Sequence, residues 1–424
     1  SHPSHVLDRL LPLVSAPKDG GLATSSPNSI IFTDILVTLI DFHRSVRAHN
    51  KLPIFREALT ENLLNPPVTQ DSLIQHISKS EWKYSRRRPQ EYVLLSTLSL
   101  TEPVPFTTKV RNNTISITNT LPMGFDASLL DHTHAIPAEA RGSKYSFVTV
   151  SVRGRSPEDA AAAAIDNLYL LSASLNLMYR HPYIALNMFF DDDGARPIEG
   201  VHAGPIYSIH KPDGSLASGN YWFDAYFRIA PRPFKSGSAD AATHEGIDHD
   251  IQHIVEALTS KGHKDFLLRA LLNYQRAIQQ PDRGNMLSQL WSVLECLTLT
   301  RPNETHDKII DRVISTLHLR EKDYIREELN HFRLLRNTIV HGEDFERSVG
   351  AASRRLKYIV EGLLLFHLNS PATQLNQNEL RFFLNIPADL KAVKLNAHLY
   401  ALFEEYHSPA PAEQSSETIG EERT

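Results

Sequence analysis

The sequence predicts an α+β multidomain protein, an N-terminal helical and mixed α/β region followed by an all-α helical bundle. Three observations carry that reading. Between residues 91 and 235, β-branched residues alternate or cluster in short segments bounded by turn formers, as half-buried strands require. Before this stretch, and again from about Gly246 to Leu402, apolar residues recur every three or four positions, the period of a helix with one buried face. With 424 residues, 41% of them apolar, the chain can bury two or three cores without disulfide staples.

Residues 1–90 form an N-terminal helical segment. Within Ser29–Trp82, IIFTDILVTLIDFHRSV carries the 3–4 period, and Pro66, Pro67 and Asp71 punctuate before a second amphipathic piece, SLIQHISKS. Residues 91–235 form an α+β domain with no role legible in the sequence. YVLLSTLSL, VRNNTISITN and YSFVTVSV are its first strands, with Asn112–Asn113 placed for a hairpin turn. Ser156-Pro157-Glu158-Asp159 predicts a helix start, with Ser as N-cap, Pro in the first turn and acids behind it; Leu168, Leu171, Leu175 and Leu177 continue that helix. Ile184–Phe190, Ala203–Ile209 and Tyr221–Ile229 read as further strands separated by turns at Asp193-Gly194 and Asp213-Gly214. The linker PRPFKSGSADAATHEG leads into a helical bundle over 246–405. Residues 406–424, ending SPAPAEQSSETIGEERT, read as a disordered acidic tail. There are no internal repeats.

Chemistry concentrates in Leu334–Gly342, LLRNTIVHG. Counting back from Ile339 in steps of three and four gives Arg336, Phe332, Leu329 and Ile325, so a guanidinium stands where the stripe calls for an apolar residue. Asn337 and His341 share a helix face. Arg336 and His341, five apart, lie about 140° apart on a regular helix and converge only if the helix ends or loosens between them. Gly342 supports an end there, because Gly is the usual residue past a helix C-terminus.

The motif R-N-x-x-x-H-G resembles the signature of HEPN domains, helical bundles in which an R-x4–6-H motif forms a metal-independent ribonuclease site. The variant RNTIVHG is similar to the subgroup named after the ApeA-type defence proteins. Met286–Thr300, containing LWSVLECLTL, resembles the family's earlier helix, with Glu295 at the position of its supporting acid. Ser348–Leu368, with Arg354, Arg355 and Lys357, resembles the closing helix. The likeness covers roughly 287–368. It implies an endoribonuclease, the effector of a prokaryotic defence or toxin system, and a homodimer that brings two motifs into one cleft. Catalytic roles then fall to Arg336, Asn337, His341 and Glu295.

These groups suit transesterification of RNA, in which the ribose 2′-OH attacks the adjacent phosphorus and the 5′-oxygen leaves. His341 can move protons at cellular pH, Arg336 can hold the phosphate and the charge that builds on it, and Asn337 can orient either. One His supplies half of an acid/base pair, which is why a symmetric dimer is expected. No cofactor or metal is called for. The structural alternative is a helix end where His341 caps carbonyls and Arg336 pairs with Glu295 or Glu328. The functional alternative is a non-catalytic interaction or ligand-sensing module that signals to a partner, with a protein or small-molecule trigger acting through the N-terminal region.

Other features exclude or dilute competing functions. The net charge of −5 leaves no overall basic signature, so RNA contact must be local. The single cysteine, Cys296, sits in an apolar stretch and reads as a buried structural thiol. There is no Gly-rich phosphate loop, GxSxG or zinc spacing. His244, Glu245, Asp248, His249 and His253 include an i,i+4 His pair, but read better as a polar helix face than as metal ligands. Asp191–Asp193 reads as a turn, Asp131, His132 and His134 as a loop, and Arg86–Arg88 as a solvated basic loop able to touch phosphates. No apolar run is long enough to span a membrane and the N-terminus lacks a signal pattern, so a cytoplasmic location without membrane contact is expected.

Overall fold

The structure, a computed structural model, describes residues 3–16, 22–24, 28–43, 46, 48–102, 105–126, 145–178, 200–223, 234–235, 244–260, 264–301, 303–317, 322–340, 346–369, 375–386 and 390–407. The expected strand Ile184–Phe190, the Asp193-Gly194 turn, the Asp191–Asp193 run, the Asp131, His132 and His134 loop and the acidic tail past His407 lie outside these residues.

The N-terminal segment comprises α1 (Pro3–Leu10), a 3-10 turn (Leu11–Leu13), a small hairpin of β1 (Val14–Ser15) and β2 (Ala23–Thr24), then α2 (Asn28–Leu39), α3 (Ala48–Leu64) and α4 (Gln70–Arg86). It has its own core, built on Leu10, Leu36, Phe55, Leu59 and Ile77. α4 begins at a capping box: the Thr69 hydroxyl accepts from the Ser72 amide and the Ser72 hydroxyl accepts from the Thr69 amide. The Glu61 carboxylate on α3 pairs with Lys83 and Lys79 on α4, which holds its pKa down at about 2.

The middle of the chain supplies β3 (Gln90–Leu98), β4 (Leu100–Glu102), β5 (Phe106–Val110), β6 (Asn113–Thr118), β7 (Ser146–Gly154), α5 (Pro157–Met178), β8 (Ile206–His210), β9 (Leu216–Phe223) and β10 (Phe234–Lys235). Six strands form an antiparallel sheet in the order β5-β6-β7-β3-β8-β9. The β5–β6 turn falls at Arg111-Asn112, one residue before the expected Asn112–Asn113. Val110 pairs with Asn113, and Arg111 takes the left-handed conformation with φ 57. Register decides this, because the observed pairing puts Phe106, Val110, Ile115 and Ile117 together in the core and a one-residue slip would turn one strand's set outward. The Asp213-Gly214 turn is as expected, with Gly214 at φ 86 and the Asp213 carboxylate accepting from the Ser215 amide. The predicted N-cap is also in place, since the Asp159 amide donates to the Ser156 hydroxyl at 3.2 Å.

The rest of the described chain is helical: α6 (His244–Ser260), α7 (Lys264–Ile278), α8 (Arg283–Leu297), α9 (His306–Leu317), α10 (Lys322–Val340), α11 (Glu346–Asn369), α12 (Gln377–Leu384) and α13 (Leu390–His407). α8 and α11 run side by side in the same direction. The Ser353 hydroxyl donates to the Arg283 carbonyl at one end, and His367 Nε2 donates to the Leu297 carbonyl at the other. α8 ends in a Schellman motif with Leu299, at φ 53, in place of the usual Gly; the Leu299 and Thr300 amides donate to the Cys296 and Glu295 carbonyls. Burial of the Leu299 side chain gives that unusual backbone a packing counterpart.

Sheet and bundle meet through α5, which is buried along most of its length and packs against β7 and β3 of the sheet and against α7 of the bundle. Thr108 of β5 donates to Asp248 of α6 at 2.6 Å, and Asn176 of α5 donates to Gln275 of α7 at 3.1 Å. The buried residues on the two sides of the boundary expected at 235–246 form one contiguous core.

Candidate functional site

α10 carries the predicted stripe. Ile325, Leu329 and Phe332 are buried, and the next position on that face is Arg336, half-buried near the helix end. Its Nε lies in the interior with no hydrogen-bond partner. Both carboxylates offered above as structural partners are engaged elsewhere. Glu328 accepts from Arg355 Nε through both oxygens, at 2.9 and 3.2 Å. Glu295 Oε1 accepts from the indole Nε1 of the fully buried Trp291, at 2.8 Å, an i,i+4 pair along α8. Among the described residues no hydrogen bond or ion pair joins Arg336 to Glu295 or Glu328, so the ion pair that would have accounted for a buried arginine is not made.

Asn337, the next residue, is exposed. His341 and Gly342 lie outside the described residues, and α10 is described as far as Val340. The end of α10 is held against the start of α8 by a close approach at Gly284, where a Cβ would stand 2.8 Å from Ile339 Cγ2. The structure thus places Arg336 and Asn337 on one packed helix end and puts Glu295 with Trp291.

Trp291 also neighbours an imidazole that the sequence did not mark. His306, at the start of α9, has its ring 6.2 Å from that of Trp291, and its Nδ1 is buried without a hydrogen bond. A lone His at a helix start carries no telling spacing; only the tertiary fold brings its ring beside Trp291.

Arg312 of α9 is a second arginine of the bundle that sequence reasoning passed over. It is 2% exposed and fully engaged, donating to the Thr298 carbonyl at 2.9 Å, to both oxygens of Glu304 at 3.0 and 2.8 Å, and to Asn385 at 2.9 Å. Arg381 of α12 joins the same carboxylate at 2.6 Å. The hydrogen bonds from Arg312 hold the Glu304 pKa below its ordinary value.

The remaining clusters are placed as follows. Asp248 accepts from Thr108, and His253 Nε2 donates to Asn369 at 2.9 Å. Among the described residues no three His, Cys, Asp or Glu side chains converge on a metal-sized space. Of the basic run expected as a solvated loop, Arg86 is the last residue of α4 and lies over the Trp82 ring at 4.0 Å, whereas Arg87 and Arg88 follow the helix and are exposed, with Arg87 pairing with Glu57 at 3.2 Å. The i,i+4 spacing of Trp82 and Arg86 favours the helix running on as far as Arg86. Cys296 is half-buried, and burial pushes its thiol up.

No protein-family model, curated protein or solved structure matches this chain. Among the described residues no helix is long and apolar enough to cross a membrane.

Proposed function

We propose that the chain is a metal-independent endoribonuclease of HEPN type, the effector of a prokaryotic defence or toxin system, acting as a homodimer on RNA. The observation that carries this reading is Arg336. Burying part of a guanidinium without a carboxylate or a full set of acceptors costs stability, and such departures concentrate where a group serves a ligand. A phosphodiester is the natural partner, since its oxygens match the planar donor fork and its charge matches the cation.

In the proposed reaction Arg336 holds the phosphate and opposes the charge that builds on it. His341 takes the proton from the 2′-OH, and a second His341 from the partner chain returns one to the leaving 5′-oxygen. Asn337, exposed beside Arg336, orients the phosphate. Glu295 acts at a distance, by fixing Trp291 and through it the wall of the bundle. DNA lacks the attacking hydroxyl and is not cut by this route.

The test is incubation of the purified chain with total RNA in EDTA, comparing wild type with His341→Ala. The reading expects cleavage with 2′,3′-cyclic phosphate ends in the wild type and none in the variant. Cleavage that vanished with EDTA and returned with Mg²⁺ or Mn²⁺, or that survived in His341→Ala, would overturn it. RNA binding without cleavage would leave the interaction-module reading in its place.

A further inference from the structure

α13 is the helix whose sequence and surroundings agree least. From Lys394 to Glu404 every residue is exposed. Yet Leu395, Leu399 and Leu402, spaced four and three apart, form a stripe of 58%, 52% and 47% exposed side chains, and Tyr400 and Phe403 widen it at 75% and 64%. Ala392 continues the spacing towards the helix start. A 3-4 repeat of this kind is the seam that one helix presents to another, and a helix that leaves it in water gains little from packing.

The charges are a second, independent anomaly. Lys391 and Lys394 stand near the start of α13, and Glu404 and Glu405 near its end. Cations at a helix N-terminus and anions at its C-terminus oppose the helix dipole, so this order weakens α13 as a single helix. The same order becomes favourable when a second α13 lies alongside in the opposite direction. Each lysine end then faces a glutamate end, and the dipoles oppose.

We propose that α13 docks on α13 of a second copy of this chain, antiparallel about a two-fold axis that passes near Leu399. Leu399 of the two copies then meets at the axis, and Leu395 of one lies against Leu402 of the other. A single pair of helices of this length buries less than a standard stable interface, so the association depends on concentration. The proposal rests on the homodimer of the reading above and names a contact that joins it; dimers that survive charge reversal in α13 overturn the contact and leave that reading standing, whereas loss of cleavage in His341→Ala leaves the pairing of α13 unchanged.

Charge reversal tests it on the full chain, at the two ends of α13. Lys391→Glu/Lys394→Glu makes α13 acidic at both ends, and Glu404→Lys/Glu405→Lys makes it basic at both ends. By sedimentation, each variant alone is expected to dimerise about tenfold more weakly than wild type, and an equimolar mixture to associate again as a heterodimer. In a Cys296→Ser background, Leu399→Cys is expected to cross-link to itself on mild oxidation, whereas Leu395→Cys cross-links only when mixed with Leu402→Cys. A wild type that stays monomeric at tens of micromolar, leaving this face to the chain's own acidic tail or to another protein, would overturn the proposal. So would charge variants that dimerise as wild type, or self-cross-linking at 395 and 402 as readily as at 399, the mark of a parallel pair.

Discussion

Arg312 and Arg336 are arginines on successive helices of one bundle, α9 and α10, and their surroundings are opposite. Arg312 is almost wholly buried, and a carbonyl, a carboxylate taken by two nitrogens and an amide oxygen answer its donors. Arg336 is half-buried, its Nε faces the interior without an acceptor, and the two carboxylates expected from the sequence as its partners are held by Arg355 and Trp291. Burial alone therefore does not mark a functional arginine. The inventory of partners separates the two: the answered guanidinium is a strut between α9, the segment before it and α12, and under the proposed function the unanswered one takes the phosphate.

The largest expected effect falls on the strut. Arg312→Ala would leave the Thr298 carbonyl and Asn385 without their donor and Glu304 with Arg381 alone. A loss of about 3–5 kcal/mol of folding free energy is expected, measured by urea denaturation near neutral pH. The wild type should also lose stability in acid through this carboxylate. The folded Glu304 pKa lies below its unfolded value, so its contribution is complete above the ordinary carboxylate range and disappears as pH falls through the lowered folded value. Arg312→Ala should flatten that acid dependence. A variant as stable and as acid-sensitive as wild type would break the contrast from the Arg312 side.

From the other side, Arg336→Ala is expected to change stability by less than about 1 kcal/mol, because it removes a buried donor that nothing answers. Under the proposed function it lowers RNA cleavage by about 10²–10³-fold, the range seen when one charge-stabilising donor is lost, and His341→Ala does the same. Equal losses of stability in Arg312→Ala and Arg336→Ala would make both arginines struts.

Glu295 sharpens the comparison at a smaller scale. Glu295→Ala strands the indole N–H of Trp291 in the interior and should cost about 1–3 kcal/mol, whereas Glu295→Gln keeps an acceptor and should cost less. If Glu295 supports the site only through Trp291, cleavage should follow the same order, with the Gln variant close to wild type. A Gln variant as inactive as Arg336→Ala would give the carboxylate charge a direct part in the reaction.

Much of this was legible in the sequence for local reasons. The α10 stripe, the Ser156 cap and the Asp213-Gly214 turn depend on residues within one turn of helix or hairpin, and Arg336 stood out as a break in a periodic face. The i,i+4 pair Trp291–Glu295 was equally local, but the apolar run around it drew attention to packing. What could not be read depends on distant segments. The place of the β5–β6 turn follows from which face of the sheet α5 covers. The role of Arg312 follows from Asn385 and Glu304 arriving beside it, and the missing Arg336–Glu328 pair from Arg355 claiming Glu328 across the bundle.

The smallest expected effect concerns what holds Arg336 in place. At Gly284 an added Cβ would lie 2.8 Å from Ile339 Cγ2 and 3.3 Å from the Asp282 carboxylate that caps α8. In Gly284→Ala the gain of about 1 kcal/mol in helix propensity is set against crowding of similar size, so the measured stability should change little. The crowding must be relieved by movement, and the movable part is the last turn of α10, which carries Arg336 and Asn337. If that turn is part of a working site, cleavage should fall several-fold at nearly constant stability, because small misplacements of a positioned group are costly to rate. Ile339→Ala in the same chain removes the Cγ2 that the new methyl strikes and should recover part of the loss. Unchanged cleavage in Gly284→Ala would mean that the end of α10 tolerates displacement, as a region without a bound reactant would, and the contrast between Arg336 and Arg312 would then be one of packing alone.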